Sequence, residues 1–557
     1  MYQISNGHKL RNIFIAISLS VLGTTAPVFA QEAATQPAVE VTSEERFAAT
    51  LQELFTQGGP KLSDFASFYA DRNYQPIWAN NTGSILALIT AIEQAPDHGM
   101  TVSRYELAKL ELLWAAGDAP EQMAALEFQA ANSFVKFAKE LNAGILDPRG
   151  IPNPGADHDE MFATRYVPET IDLLVDVASA ADKGMFYKTL QPSAPEYTQM
   201  LALKQQLEAL ASSNGWGPIV PSGKTLRLGK SSARIVALRE RLAQRGYDVD
   251  DLSSPTFDNA LLKIVKLFQT DSGLNADGAV GPQTLASINA QPNGRLKQVI
   301  VNLERMRWMN YDLGERHVYV NIPDYTASII DNGKPTLSFR VVVGTSKFQT
   351  TEFSDVMTHM VINPSWNVPY SIASEEYLPK LRTDPTLLVR ENISMMVSGS
   401  NQIVDSTRLD YSYFTKDNFP FFLKQSPGKN NALGRVKFMF PNRFNIYMHD
   451  TPARSLFNKD ARAFSHGCVR VQKPLEFAYA LLSLQTADPE TLFQTTLASG
   501  EETQINLVKP VPVHIVYRTA WVDRDGVAQF RQDIYGRDTL VMNALINAGV
   551  TLPALDS

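Results

Sequence analysis

The 557-residue chain contains a single cysteine, Cys468, in the stretch RAFSHGCVRV (462–471). A thiol attacks a carbonyl carbon as the thiolate, and a free thiol with a pKa of about 8.5 is mostly protonated near neutrality. Such a nucleophile needs a base or a cation to activate it, and donors to hold the oxyanion that forms. The sequence offers each part. His466 lies two residues before the cysteine, and His449 nineteen before it, in FNIYMHDT. Gly467 lets the backbone approach a substrate closely, so its N–H and that of Cys468 form a candidate oxyanion hole. Arg470 supplies a cation that could favour the thiolate or hold a substrate carboxylate. Each residue also has an ordinary structural use: a packed histidine, an inert cysteine, an arginine paired with an acid. Zinc is a legal alternative for His449, His466 and Cys468. No fourth ligand presents itself, however, and neither a metal nor another cofactor is expected.

The N-terminus sets the compartment in which this thiol would work. Residues 1–30 carry Lys9 and Arg11, then an apolar run from Ile13 to Gly23, then Val28-Phe29-Ala30. That is the order of a secretory signal peptide with its cleavage site. The run is short of the roughly 20 residues that span a bilayer. An uncleaved anchor is the alternative, and no other stretch is long and apolar enough to cross a membrane. Removing residues 1–30 takes the net charge from -7 to -9. So acidic a chain lacks the basic face that nucleic-acid binding requires. A leftover cysteine in an exported chain points to an intermolecular link or a reactive free thiol.

The elements that must position the thiol fall into several units. Residues 31–42 read as a flexible lead-in. From 43 to 214 apolar residues recur at helical spacing, as in ERFAATLQELF and AALEFQAANSFVKFAKEL. Within this scaffold the aromatics of YADRNYQPIW (69–78) read as a helix-end packing cluster, with glycan binding as the alternative. Residues 215–225 are a linker. From 226 to 289 three helical stretches surround the turn signals Asp277-Gly278 and Gly281-Pro282. From His317 the period changes to that of strands. Residues 371–425 interrupt the strands with helical stretches and prolines, as an inserted lid would. Residues 521–557 form a C-terminal extension. The fold class expected is multidomain α+β: a mainly helical scaffold, a small helical module, and a mainly β catalytic domain.

INPSWNVPYSI (362–372), YMHDT (447–451) and SHGCVRV (465–471) together resemble the L,D-transpeptidases, the YkuD-type cell-wall enzymes. The catalytic resemblance covers about residues 315–520. Residues 226–289, with their D-G-x-x-G-P-x-T signature, resemble a small peptidoglycan-binding domain; a plain spacer is the alternative. The whole resembles the large multidomain Gram-negative members. The resemblance implies Cys468 as nucleophile and His449 as general base. Ser465, His466, Gly467 and Arg470 then shape the site, and Tyr447 and Trp366 line it. The Asn that often follows the motif is replaced here by Gln472, so no downstream amide is assigned a role. Implied too are a periplasmic location and ping-pong acyl transfer. Cys468 attacks a tetrapeptide stem, D-alanine leaves, and a diaminopimelate amine resolves the thioester into a 3–3 cross-link. Acylation by carbapenems is expected, as is work beside other wall-synthesis enzymes. Rival readings are an L,D-carboxypeptidase, another cysteine peptidoglycan hydrolase, and a wall-binding scaffold with a dead catalytic domain.

Overall fold

A computed structural model describes residues 41–154, 160–213, 215–400 and 402–551. The export segment expected at residues 1–30 lies outside the described residues. No helix among those described is long and apolar enough to cross a membrane.

The N-terminal half is helical. Its first helix, Ser43–Gln57, starts at a Thr42–Glu45 capping box and buries Phe47, Leu51 and Phe55. These pack against the long helix Pro120–Ala143 in a core that takes in Tyr69 and Trp78. The aromatics of residues 69–78 are therefore packing residues at their two ends. Glu127 explains how the chain turns there. Its buried carboxylate accepts from Tyr69 Oη at 2.5 Å and from the backbone N–H groups of Ile77, Trp78 and Ala79. Those donors satisfy a charge that burial alone would make very costly.

The small module has three helices, Ala233–Gln244, Asn259–Asp271 and Pro282–Ile288, around its own core. Its turn is built by Gln269. The Gln269 amide donates to Asp277 Oδ1 and Ala279 O, and its oxygen accepts from Gly278 N–H.

Helix Pro292–Trp308 then joins the halves. It packs on helix Pro195–Ala211 and on the C-terminal segment, forming a separate core. It carries buried charges: Glu304 with Arg307 at 2.7 Å, and Arg305 with Asp538 at 2.5 Å. The C-terminal residues are thus no loose extension. The hairpin Ala520–Val522/Ala528–Phe530 and helix Arg537–Asn547 fold back onto this keystone.

The catalytic region is mainly β. Its strands are β1 (Arg316–Asn321), β2 (Thr326–Asp331), β3 (Lys334–Gly344) and β4 (Phe353–Ile362). The insertion supplies β5 (Trp366–Asn367), β6 (Ile393–Val397), β7 (Ile403–Val404) and β8 (Phe421–Gln425). Then follow β9 (Val436–Met439), β10 (Met448–His449), β11 (Ala463–Ser465), β12 (Val469–Val471) and β13 (Thr503–Val516). The main sheet runs β11-β3-β12-β10-β9-β4-β13-β1-β2, and a further β3–β2 pairing closes it on itself. Alternate residues of these strands fill the interior, among them Val341, Val343, Phe438, Met448, Val469 and Val471. The insertion has its own sheet, β5-β8-β6-β7, and its own core of Ile372, Leu378, Leu388, Met395 and Leu423.

Candidate active site

Register brings the predicted residues together. β10 and β12 run parallel, with Met448 opposite Val469 and His449 opposite Arg470. The ladder extends one step back, where Val469 N–H donates to Tyr447 O at 3.0 Å, so Tyr447 stands beside Cys468. Strand side chains alternate between faces. Met448 and Val469 point into the core and are fully buried. Tyr447, His449, Cys468 and Arg470 therefore share the opposite face.

Cys468 sits in a sharp turn that its neighbours fix. Ser465 Oγ donates to Cys468 O at 2.6 Å and accepts from Gly467 N–H at 3.2 Å. Gly467 has φ +104°, in the region that glycine tolerates. Its carbonyl accepts from Thr350 Oγ1 at 2.7 Å. The Gly467 amide, one of the two expected at an oxyanion, is thus engaged by Ser465. The amide of Cys468 makes no hydrogen bond among the described residues and remains the available donor.

The thiol is half-buried, and Sγ lies 3.7 Å from Asn445 O. Burial pushes its pKa up to about 11, against opposing pulls from the Tyr447 N–H and hydroxyl and from Arg470. Tyr447 shows the same contact from its own side: burial, then the neighbouring sulfur, hold its hydroxyl protonated. Tyr447 therefore lies against the sulfur on the shared face. Asn445 was not legible beforehand. Its carbonyl is presented by a loop that Asn442 staples, donating to Phe440 O and Ile446 O and accepting from Phe444 N–H and Ile446 N–H.

His449 is buried, with Nδ1 2.5 Å from Asp450 O. A carbonyl only accepts, so Nδ1 carries the proton and Nε2 is the basic nitrogen. Burial, helped by the Arg470 charge, pushes its pKa down to about 3. Asp450 anchors this corner. Its carboxylate accepts from the N–H groups of Arg435 and Thr451 and from Arg454. Gly434 is obligatory there, because a Cβ would come 2.4 Å from Asp450 Cγ. No hydrogen bond joins His449 to Cys468 among the described residues. The two are diagonal on adjacent strands. With strands about 4.8 Å apart and a rise of about 3.3 Å per residue, such Cα atoms lie about 8 Å apart.

The other predicted residues divide. Arg470 lies on the site face, and its Nε is buried with no hydrogen-bond partner. His466 turns outward to the insertion, with Nε2 2.6 Å from Glu376 Oε1. Trp366 lies on β5 and packs against the insertion's own core.

Residues 315–513 match the model of the L,D-transpeptidase catalytic domain. Residues 63–207 match a scaffold domain, and 231–288 a domain described as "Putative peptidoglycan binding domain". A protein of Haemophilus influenzae named "Putative L,D-transpeptidase" is 36% identical over 230 residues, 41% of this chain and 46% of that protein. The matched region thus spans about half the length of this curated relative. The chain carries an L,D-transpeptidase catalytic domain. Beside it stands a peptidoglycan-binding module. Among solved structures, the L,D-transpeptidase of Xylanimonas cellulosilytica is 13% identical, covering 53% of this chain and 99% of that one, with a TM-score of 0.17. A "Fused Zn-dependent amidase/peptidase/peptodoglycan-binding domain-containing protein" of Clostridium acetobutylicum is 12% identical, covering 53% and 100%, with a TM-score of 0.15. At such TM-scores neither bears on the fold.

The transpeptidase domain is braced from outside its matched span. Tyr535 Oη donates to Gly344 O at 2.6 Å and accepts from Thr350 N–H. Arg537 donates to Gln349 Oε1, Thr350 O and Glu352. Thr350 in turn holds Gly467. The C-terminal segment therefore reaches the turn that carries Cys468 through a chain of hydrogen bonds.

Proposed function

We propose that the protein is an exported acyltransferase that forms 3–3 cross-links in peptidoglycan. Cys468 gives its proton to His449 Nε2 as Sγ bonds to the carbonyl carbon of the third residue of a tetrapeptide stem. The Cys468 amide and the Tyr447 hydroxyl hold the oxyanion. The C–N bond to the terminal D-alanine breaks, and its nitrogen takes the proton from His449. A thioester remains. The side-chain amine of diaminopimelate on a second stem attacks it, His449 accepts the amine proton, and the thiolate leaves and is reprotonated. Arg470, with its unpartnered Nε, holds a carboxylate of the stem. The peptidoglycan-binding module keeps the enzyme on its polymer, beside other wall-synthesis enzymes in the periplasm.

One observation carries this reading: the lone thiol, an Nε2-basic histidine, a phenol donor and a guanidinium share one face of the sheet in a domain matched to this family. The neutral thiol–imidazole pair suits it, since protons then move only as bonds form. The test is intact-protein mass spectrometry after incubation with a carbapenem, beside Cys468→Ala. A stable adduct on the parent alone is expected. Disaccharide-tetrapeptides should then yield cross-linked dimers and free D-alanine. Shortened stems without dimers would make it a carboxypeptidase, and no adduct on either protein would overturn the reading.

A further inference from the structure

The insertion meets the nucleophile's turn at one place. Residues 370–381 are helical throughout, but Ala373–Tyr377 form a π-turn. Such turns cost stability and are common at functional sites. This one places Glu375 and Glu376 side by side on the outside, between buried Ser374 and buried Tyr377. Glu376 Oε1 meets His466 Nε2 at 2.6 Å, and Glu375 Oε2 meets Lys347 Nζ at 3.0 Å. Phe348 joins Lys347 and His466. Its ring lies 4.4 Å from that of His466, and Lys347 Nζ lies 4.6 Å from its centroid. Lys416 and Arg470 also face this acidic pair.

We propose that Glu375 and Glu376 latch the lid shut over the nucleophile's turn, with Glu376 acting as a positioning residue that fixes His466 beside Cys468. The inference rests on reading Cys468 as the nucleophile. A stem peptide must displace or outlast the latch to enter, so the acidic pair sets when the thiol is accessible and when water is excluded. Both contacts are partly exposed, so salt weakens their charged interactions, the Debye length falling from about 10 Å at 0.1 M to about 3 Å at 1 M.

The test uses the full chain and its one cysteine, so every thiol adduct reports Cys468. Alkylation rates are measured with iodoacetamide and with a polyethylene-glycol maleimide. At low salt the bulky-to-small rate ratio should rise about three-fold or more in Glu376→Gln and in Lys347→Glu, the scale of exposed ion pairs. High salt should raise the parent's ratio toward that of the variants and change theirs less, because each variant keeps one of the two contacts. Adding Glu375→Lys to Lys347→Glu should restore the parent's ratio. A parent ratio that ignores salt and equals that of Glu376→Gln would overturn the latch. So would a double charge swap that stays as open as Lys347→Glu alone. Alkylation needs no stem peptide, so failure to acylate would count against the transpeptidase reading and leave this ratio to decide the latch.

Discussion

At the residue scale, burial favours the neutral thiol of Cys468. With Cys468 pushed up to about 11 and His449 down to about 3, both are neutral across the intervening range. This differs from a pre-formed thiolate–imidazolium pair, which low-pKa cysteines use. Iodoacetamide alkylation of Cys468 should therefore keep rising with pH through 9 to 11, instead of levelling off near about 8.5 as a free thiol does. A plateau below pH 8 would mean that Arg470 and Tyr447 outweigh burial. Tyr447→Phe removes one donor to the thiolate. It should slow alkylation at fixed pH by about ten-fold or more, the worth of a hydrogen bond to a charged group of about 1.5 kcal/mol or more. An unchanged rate would return Tyr447 to a purely lining role.

At the element scale, the catalytic turn is held by parts distant in sequence. Thr350 donates to Gly467 O and accepts from Gly344 N–H, and it is fully buried. Thr350→Val keeps the shape and leaves both partners unsatisfied. It should cost about 1–3 kcal/mol in urea unfolding and slow carbapenem adduct formation without touching the nucleophile. Normal adduct rates with the stability loss would confine Thr350 to folding. In the helical half, Glu127 plays the comparable part for the turn at residues 77–79. Glu127→Leu strands Tyr69 Oη and three backbone donors, and should destabilise the fold by about 2–5 kcal/mol. A melt within 1 °C of the parent's would show that the turn does not need the carboxylate.

At the scale of the whole molecule, buried neutral histidines link stability to pH. His98 lies under the keystone helix, with its pKa pushed down to about 3 by burial and by the Arg307 and Lys204 charges. His514 on β13 is pushed down to about 4 by burial, and its Nδ1 lies 2.8 Å from Ser354 Oγ. Both, with His449, protonate near 6.5 in the unfolded chain. In the window below that value the unfolded state binds more protons. Their stabilisation is thus complete above about pH 6.5 and is lost as pH falls toward 4. Unfolding free energy should drop from pH 6.5 to 5, with a slope approaching about 1.4 kcal/mol per pH unit for each histidine. His514→Gln should flatten that slope. A pH-independent stability over this window would show that these histidines are already neutral, or equally solvated, when unfolded.

What was legible without coordinates follows from local physics. Helical and strand periods, cap and turn residues, and the SHGC stretch all act within a few residues, so the order of the matched units could be read directly, with Cys468 and His449 as the candidate groups. The peptidoglycan-binding module was legible because its turn is built by side chains within one short segment. The keystone helix Pro292–Trp308 left no such signal. Covered on several sides, it buries Glu304, Arg305 and Arg307 along with its apolar residues, so it lacks a clear amphipathic stripe. Asn445, Thr350 and Glu376 were invisible for a different reason. Each acts on the catalytic turn through a contact made across more than twenty residues, and nothing in its own neighbourhood marks it. The sequence determined which groups could do the chemistry, because reactivity is a property of residue type. Tertiary structure decided which of them meet, because strand register puts Tyr447 beside the thiol, His449 diagonal to it, and Trp366 on the separate four-stranded sheet of the insertion.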